Sequence, residues 1–271
     1  MIQIRSILLV LFLVVVSMAC ATSPTGRSQF LMMSEAQMAE MGRAAFTDMQ
    51  SRTPRSVNSR QTNYVRCVAN AIIDILAPPE LRPIAVDLWE IELFADPTAN
   101  AFALPGGKIG VHTGLLSVAV TQAQLATVLG HEVSHVLARH GNERVSQSTL
   151  AQSGMLFAQI LIGADTPEKQ ELFGLLGLGM QYGVLMPFSR AQESEADEIG
   201  ILLMARAGFD PRESVALWRN MARADRGRAP PEFMSTHPSH STRIRRLEAA
   251  MPVALRFYEQ AVAAGHRPRC K

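Results

Sequence analysis

The 271-residue chain has little cysteine, few aromatics and no marked excess of either charge. Its three cysteines, Cys20, Cys67 and Cys270, make no C-x-x-C pair, which excludes a cysteine-built zinc module and leaves any metal site to histidine and carboxylate. Only 6% of the residues are aromatic and the formal net charge is +2. Without a basic stripe or finger-like Cys/His spacing there is no nucleic-acid footprint, and no nucleic-acid partner is expected. No clean apolar run reaches the roughly twenty residues of a membrane-spanning helix. What is there is 48% hydrophobic and long enough to bury one sizeable core.

The N-terminus reads as a targeting segment. Arg5 precedes an apolar run from Ile7 to Val16, followed by Ser17-Met18-Ala19-Cys20. Such a run is short for a span and suits a secretory signal peptide over residues 1–19. Cys20 behind a small Ala19 resembles the bacterial lipoprotein box, with Ser17 where that box usually has Leu. Cys20 is thus the candidate lipidation site and membrane anchor. By the rule for such lipoproteins, Ala21 in second position favours the outer membrane, and the expected placement is exported, on the periplasmic side. Residues 20–28 read as a tether and 29–271 as one domain. Setting Cys20 aside leaves Cys67 and Cys270 as an even pair in a disulfide-permissive compartment, and a bond between them is expected.

The chemistry is carried by His131-Glu132-Val133-Ser134-His135, the pattern H-E-x-x-H. On a helix the spacing of four puts His131 and His135 one turn apart on one face, so both imidazoles reach one metal ion. Glu132 lies beside them, placed to act as general base toward a water activated there. Thr121 to Gln124 reads as a capping box, Leu125, Val128, Val136 and Leu137 supply the apolar positions, and Gly141 is the expected stop. Upstream, Thr62 to Leu76 has helical periodicity. Asp87 to Ala95 alternates as a strand, and Ala101–Leu104 with Lys108–His112 about Pro105-Gly106-Gly107 reads as a hairpin, giving a small antiparallel sheet just before the metal helix. A sheet edge there can receive an extended polypeptide.

Downstream, Asn142–Ile162 and Glu168–Phe188 lean apolar and are read as helices covering the cleft. In Ser189 to Asp197, Glu193 and Asp197 are four apart on one helix face. Glu193 is assigned to the metal and Asp197 to orienting a ligand histidine, with Glu195 the rival for that second role. Thr236-His237-Pro238 carries a histidine that either stabilises a developing oxyanion or occupies the open metal position at rest, and Arg243 can also do the former.

Taken together, the H-E-x-x-H helix, Glu193-Ser194-Glu195-Ala196-Asp197, Thr236-His237-Pro238 with Arg243-Ile244, and the Asn100 to Gly107 stretch resemble the gluzincin peptidases that include HtpX, BepA and LoiP, most closely the LoiP type. The resemblance covers about Gln29 to Met251. It implies a mainly helical α+β, zincin-like domain with one zinc ion held by His131, His135 and Glu193, Glu132 as general base, and His237 regulating access. It also implies a cell-envelope metalloendopeptidase acting on misfolded or unassembled proteins. The competing expectation is a chaperone-like, client-binding lipoprotein with a structural zinc; Glu132 argues against it, because a structural site needs no base.

Overall fold

In a computed structural model, the structure describes residues 20–76, 86, 88–162, 188–224, 233, 237 and 242–271. The residues read as a signal peptide, 1–19, and nearly all of the expected helix Glu168–Phe188 lie outside this set. The chain divides into two units, Met1–Ser34 with Gly141–Met186, and Glu35–His140 with Pro187–Lys271.

In the first unit, β1 (Cys20–Thr22) and β2 (Ser28–Phe30) form an antiparallel ribbon in which Thr22 faces Ser28. Cys20, the expected lipid anchor, is the first residue of β1. The segment read as a tether, residues 20–28, lies within this hairpin. Arg27 grips Glu143 through both guanidinium nitrogens at 2.6 and 2.7 Å, and Ser146 accepts from the Met32 amide at 2.7 Å.

The second unit is built on α1 (Glu35–Arg52), α2 (Ser59–Asp74), α3 (Gln122–Leu137), α5 (Arg190–Arg206), α6 (Arg212–Ala224) and α7 (Thr242–Ala263). The Asn58 side chain caps α2 by accepting from the Gln61 amide, and Val65, Val68 and Ile72 form its buried stripe, as the periodicity predicts. Three strands, β3 (Glu90–Phe94), β4 (Ala101–Leu104) and β5 (Lys108–His112), make a sheet of order β3-β5-β4. The β4–β5 hairpin is antiparallel, and Gly106 and Gly107 take φ values of +79° and +77° in its turn, which glycine alone adopts without strain. β3, however, pairs with β5 in parallel. The expected all-antiparallel sheet is mixed, because the chain leaving β3 crosses to the far edge before turning back as β5.

α3 is the centre of the unit, with every residue from Ala123 to Leu137 buried. Thr121 caps it by accepting from the Gln124 amide, while the Gln124 side chain takes the Val120 amide rather than closing a reciprocal box. The helix does not stop at Gly141. It ends at Leu137, Arg139 reverses the chain at φ 56°, and α4 (His140–Ile162) starts at once. α5 opens with a complete capping box between Ser189 and Gln192 and ends before Gly208, at φ +85°. Cys67 of α2 and Cys270 of the C-terminal tail are joined, with their Cα atoms 5.6 Å apart. No described helix is long and apolar enough to cross a membrane.

Candidate metal centre

α3 delivers His131 and His135 from adjacent turns, and α5 packs across it with Glu193 in its first turn. His237 completes the group, and one ligand atom from each of the four residues lies within 4.8 Å of every other. His131 Nε2 is 3.1 Å from His135 Nε2 and 3.2 Å from His237 Nδ1, and Glu193 Oε1 is 2.9 Å from His237 Nδ1. All four side chains are buried. A tetrahedral ion bound at about 2.0–2.1 Å separates its ligand atoms by about 3.3 Å. Five of the six residue pairs, at 2.9 to 3.5 Å, come near that spacing, and the group as a whole could hold one such ion. Three imidazoles and a carboxylate are also a donor set that zinc takes.

The charge balance follows from this crowding. Burial alone would lower the His131 pKa, but Glu193 and Asp197 overcome it and raise it to about 9. Burial would likewise raise Glu193, yet the three histidines hold it far below the usual carboxylate range. Desolvation dominates at His135, pushed well below its ordinary value, and at Glu132, pushed up.

Glu132 stands beside the cluster. Its Oε2 accepts from the Ala103 amide of β4 at 3.2 Å, while its Oε1, buried and 3.3 Å from His237 Nε2, accepts no hydrogen bond among the described residues. Asp197 is where the helical spacing puts it, its Oδ1 3.0 Å from His131 Nδ1. Glu195 does not share that role. It reaches His140, whose other ring nitrogen contacts His135.

Arg243, which can also stabilise a developing oxyanion, is here turned to two carboxylates. Its Nε bonds Asp197 and its Nη2 bonds Glu193, with the guanidinium 4.0 Å over the Trp218 ring. Two neighbouring buried carboxylates need this charge more than the open face does. His237 is held by aromatics that sequence reasoning missed: its ring stacks on Phe233 at 4.6 Å and on Phe188 at 5.4 Å, and Phe188 also stacks on His135 at 3.9 Å. Nothing in the spacing of two isolated phenylalanines signals this. His140 was better signalled, as a third histidine five residues beyond H-E-x-x-H.

Peptidase family M48 matches residues 59–251, well over half of the sequence. The chain belongs to this family. Its similar proteins include the mitochondrial metalloendopeptidase OMA1 of Schizosaccharomyces pombe, 40% identical over 71% of this chain and 54% of the relative. The human mitochondrial metalloendopeptidase OMA1 is 30% identical over 87% of this chain and 46% of the relative. The β-barrel assembly-enhancing protease of Yersinia pestis is 30% identical over 81% of this chain and 45% of the relative. The chain spans about half the length of the curated relatives it matches. Zinc is the metal of M48 metalloproteases, and the four-residue cluster fits one ion. The matches carry the family without singling out the LoiP type. They also overturn the expected periplasmic, outer-membrane placement: relatives from fungi and animals, 30–40% identical, are mitochondrial proteases, and the bacterial β-barrel assembly-enhancing proteases match more weakly than these.

Proposed function

We propose that this M48 chain is a zinc-dependent endopeptidase that cleaves extended segments of misfolded or unassembled proteins. The observation that carries the reading is Glu132, a buried carboxylate with one oxygen anchored on β4 and the other accepting no hydrogen bond among the described residues, set against a four-donor metal cluster. Zinc, when bound, supplies Lewis acidity that brings a water's pKa near neutrality and polarises a peptide carbonyl. Glu132 Oε1 takes the proton of the attacking water, and the same oxygen returns it to the leaving amine. The Ala103 amide keeps the carboxylate in position throughout. β4 lies at the edge of its sheet, so an extended substrate can run beside the strand that holds the base. His237 acts as a latch, since it completes a set of four protein donors and must withdraw to leave an open position.

That same fourth donor favours one competing reading, a closed structural zinc in a client-binding protein. The full-length chain decides, tested on an unfolded protein substrate with zinc content matched among variants. Glu132→Gln is expected to lose about 10²–10⁴-fold in kcat, and His237→Ala to raise the rate above wild type. Undiminished cleavage by Glu132→Gln removes the base from the mechanism, and no cleavage by wild type or His237→Ala establishes the structural reading.

A further inference from the structure

We propose that His140 and Glu195 form a buried positioning relay that fixes the ring of His135 toward the metal centre. The inference rests on the metal-centre reading above. His135 Nδ1 lies 2.9 Å from His140 Nδ1, and His140 Nε2 lies 3.1 Å from Glu195 Oε2. The His140 ring is wholly buried, and Glu195 is 4% exposed.

The valences of the three groups allow one arrangement. His135 turns Nε2 toward His131 and Glu193, at 3.1 and 3.4 Å, so as a ligand it keeps its lone pair there and its hydrogen on Nδ1. That hydrogen fills the gap to His140, which makes His140 Nδ1 the acceptor. His140 then carries its own hydrogen on Nε2 and donates it to the Glu195 carboxylate. Without Glu195, His140 loses the carboxylate that favours this tautomer over the other. In that other tautomer two N–H groups would meet across one short gap, and His135 would have to rotate or give up its ligating lone pair.

Local backbone geometry builds the relay. Arg139, at φ 56°, folds the chain back after α3, so that the ring of His140 meets that of His135 with centroids 4.9 Å apart. On α5, Glu195 follows Glu193 by two residues, a rotation of about 200° that carries it off the metal-facing side. Each helical ligand histidine thus has its own buried acid: Asp197 directly behind His131, and Glu195 behind His135 through an intervening ring.

The test uses the full chain and reads the zinc dissociation constant by competition with a chromogenic chelator, with the visible spectrum of the cobalt(II)-loaded protein as a second readout. Glu195→Leu and His140→Leu are expected to weaken zinc about 10–100-fold and to shift the cobalt bands. Glu195→Gln, whose amide oxygen still accepts from His140, is expected to restore most of the affinity. If the leucine variants do not fold, Glu195→Asn replaces them, because its shorter amide does not reach His140; Asn must weaken zinc where Gln does not. Wild-type affinity and an unchanged cobalt spectrum in Glu195→Leu, or equal affinities for Asn and Gln, overturn the relay. His135→Ala keeps the two readings apart, since wild-type zinc affinity in that variant would sink the metal-centre assignment itself.

Discussion

Gly130 and Gly200 bring the backbones of α3 and α5 into direct contact at the metal centre. A Cβ on Gly200 would stand 2.9 Å from the His131 amide nitrogen, and one on Gly130 would stand 2.9 Å from the Gly200 carbonyl oxygen. Gly200 lies two turns beyond Glu193 on the same face of α5, so the close approach at one end sets the reach of the carboxylate at the other. Replacing a helical glycine with alanine ordinarily stabilises by up to about 1 kcal/mol. Here the obstruction is backbone, which cannot swing aside, and overpacking costs about 1–3 kcal/mol. Gly200→Ala is expected to lower the urea midpoint of the metal-free protein and to weaken zinc binding. A more stable variant would show that the two helices are free to separate.

Arg243 neutralises two acids at once. With Nε on Asp197, Nη2 on Glu193 and its plane over Trp218, it uses the fork, the charge and the flat face of a guanidinium. Arg243→Gln removes the charge that two buried carboxylates share and is expected to cost about 3–5 kcal/mol in denaturant unfolding. Arg243→Lys is expected to recover little, because one ammonium cannot span both acids and stack. A lysine variant as stable as wild type would mean that charge alone, rather than the planar fork, is what the site requires.

What was legible in the residues is what a single helix or turn dictates. The spacing of His131 with His135, and of Glu193 with Asp197, follows from the period of the helix and needs no knowledge of the rest of the fold. The same holds for the buried stripe of α2 and for the hairpin about Gly106 and Gly107. What was not legible depends on which elements meet. The parallel pairing of β3 with β5 is a property of the route the chain takes, not of the strand's alternation. Arg243 looks like one more cation on a solvated helix until α5 places two acids against it. Gly130 and Gly200 carry no side chain to announce a helix crossing, and His140 gains its role from a reversal at Arg139 that no turn signal marks.

Glu90 and Lys108 face each other across β3 and β5, with Lys108 Nζ 2.9 Å from Glu90 Oε2. That hydrogen bond holds the Glu90 carboxyl below its ordinary value of 4.5. A depressed folded-state pKa makes the contribution full above that ordinary value and removes it as the pH falls below it. The Glu90 side chain is 41% exposed, so the effect is small and screened by salt. Lys108→Met is expected to be less stable than wild type near neutral pH, with the difference closing as the pH falls through the ordinary carboxyl value of 4.5 and below it. Stability curves at several pH values measure this; a difference that persists at the acid end would assign it to packing of the lysine stem.

The C-terminal tail is fastened twice. Besides the Cys67–Cys270 bond, Gln122 at the start of α3 donates to the Pro268 carbonyl at 2.8 Å and accepts from the Cys270 amide at 2.9 Å. The cross-link closes a loop with a sequence separation of 203 residues. Losing a native disulfide costs about 2–5 kcal/mol, with long closures at the upper end, whereas a partly exposed amide pair contributes about 1 kcal/mol. The covalent bond is therefore what keeps the tail docked, and the Gln122 contacts exist because it does. Cys270→Ser is expected to lower unfolding stability by about 2–5 kcal/mol. Gln122→Ala is expected to cost about 1 kcal/mol in the wild-type background and much less when combined with Cys270→Ser. Strict additivity in that double-mutant cycle would instead show a tail that stays bound without its disulfide, with Gln122 as an independent clasp.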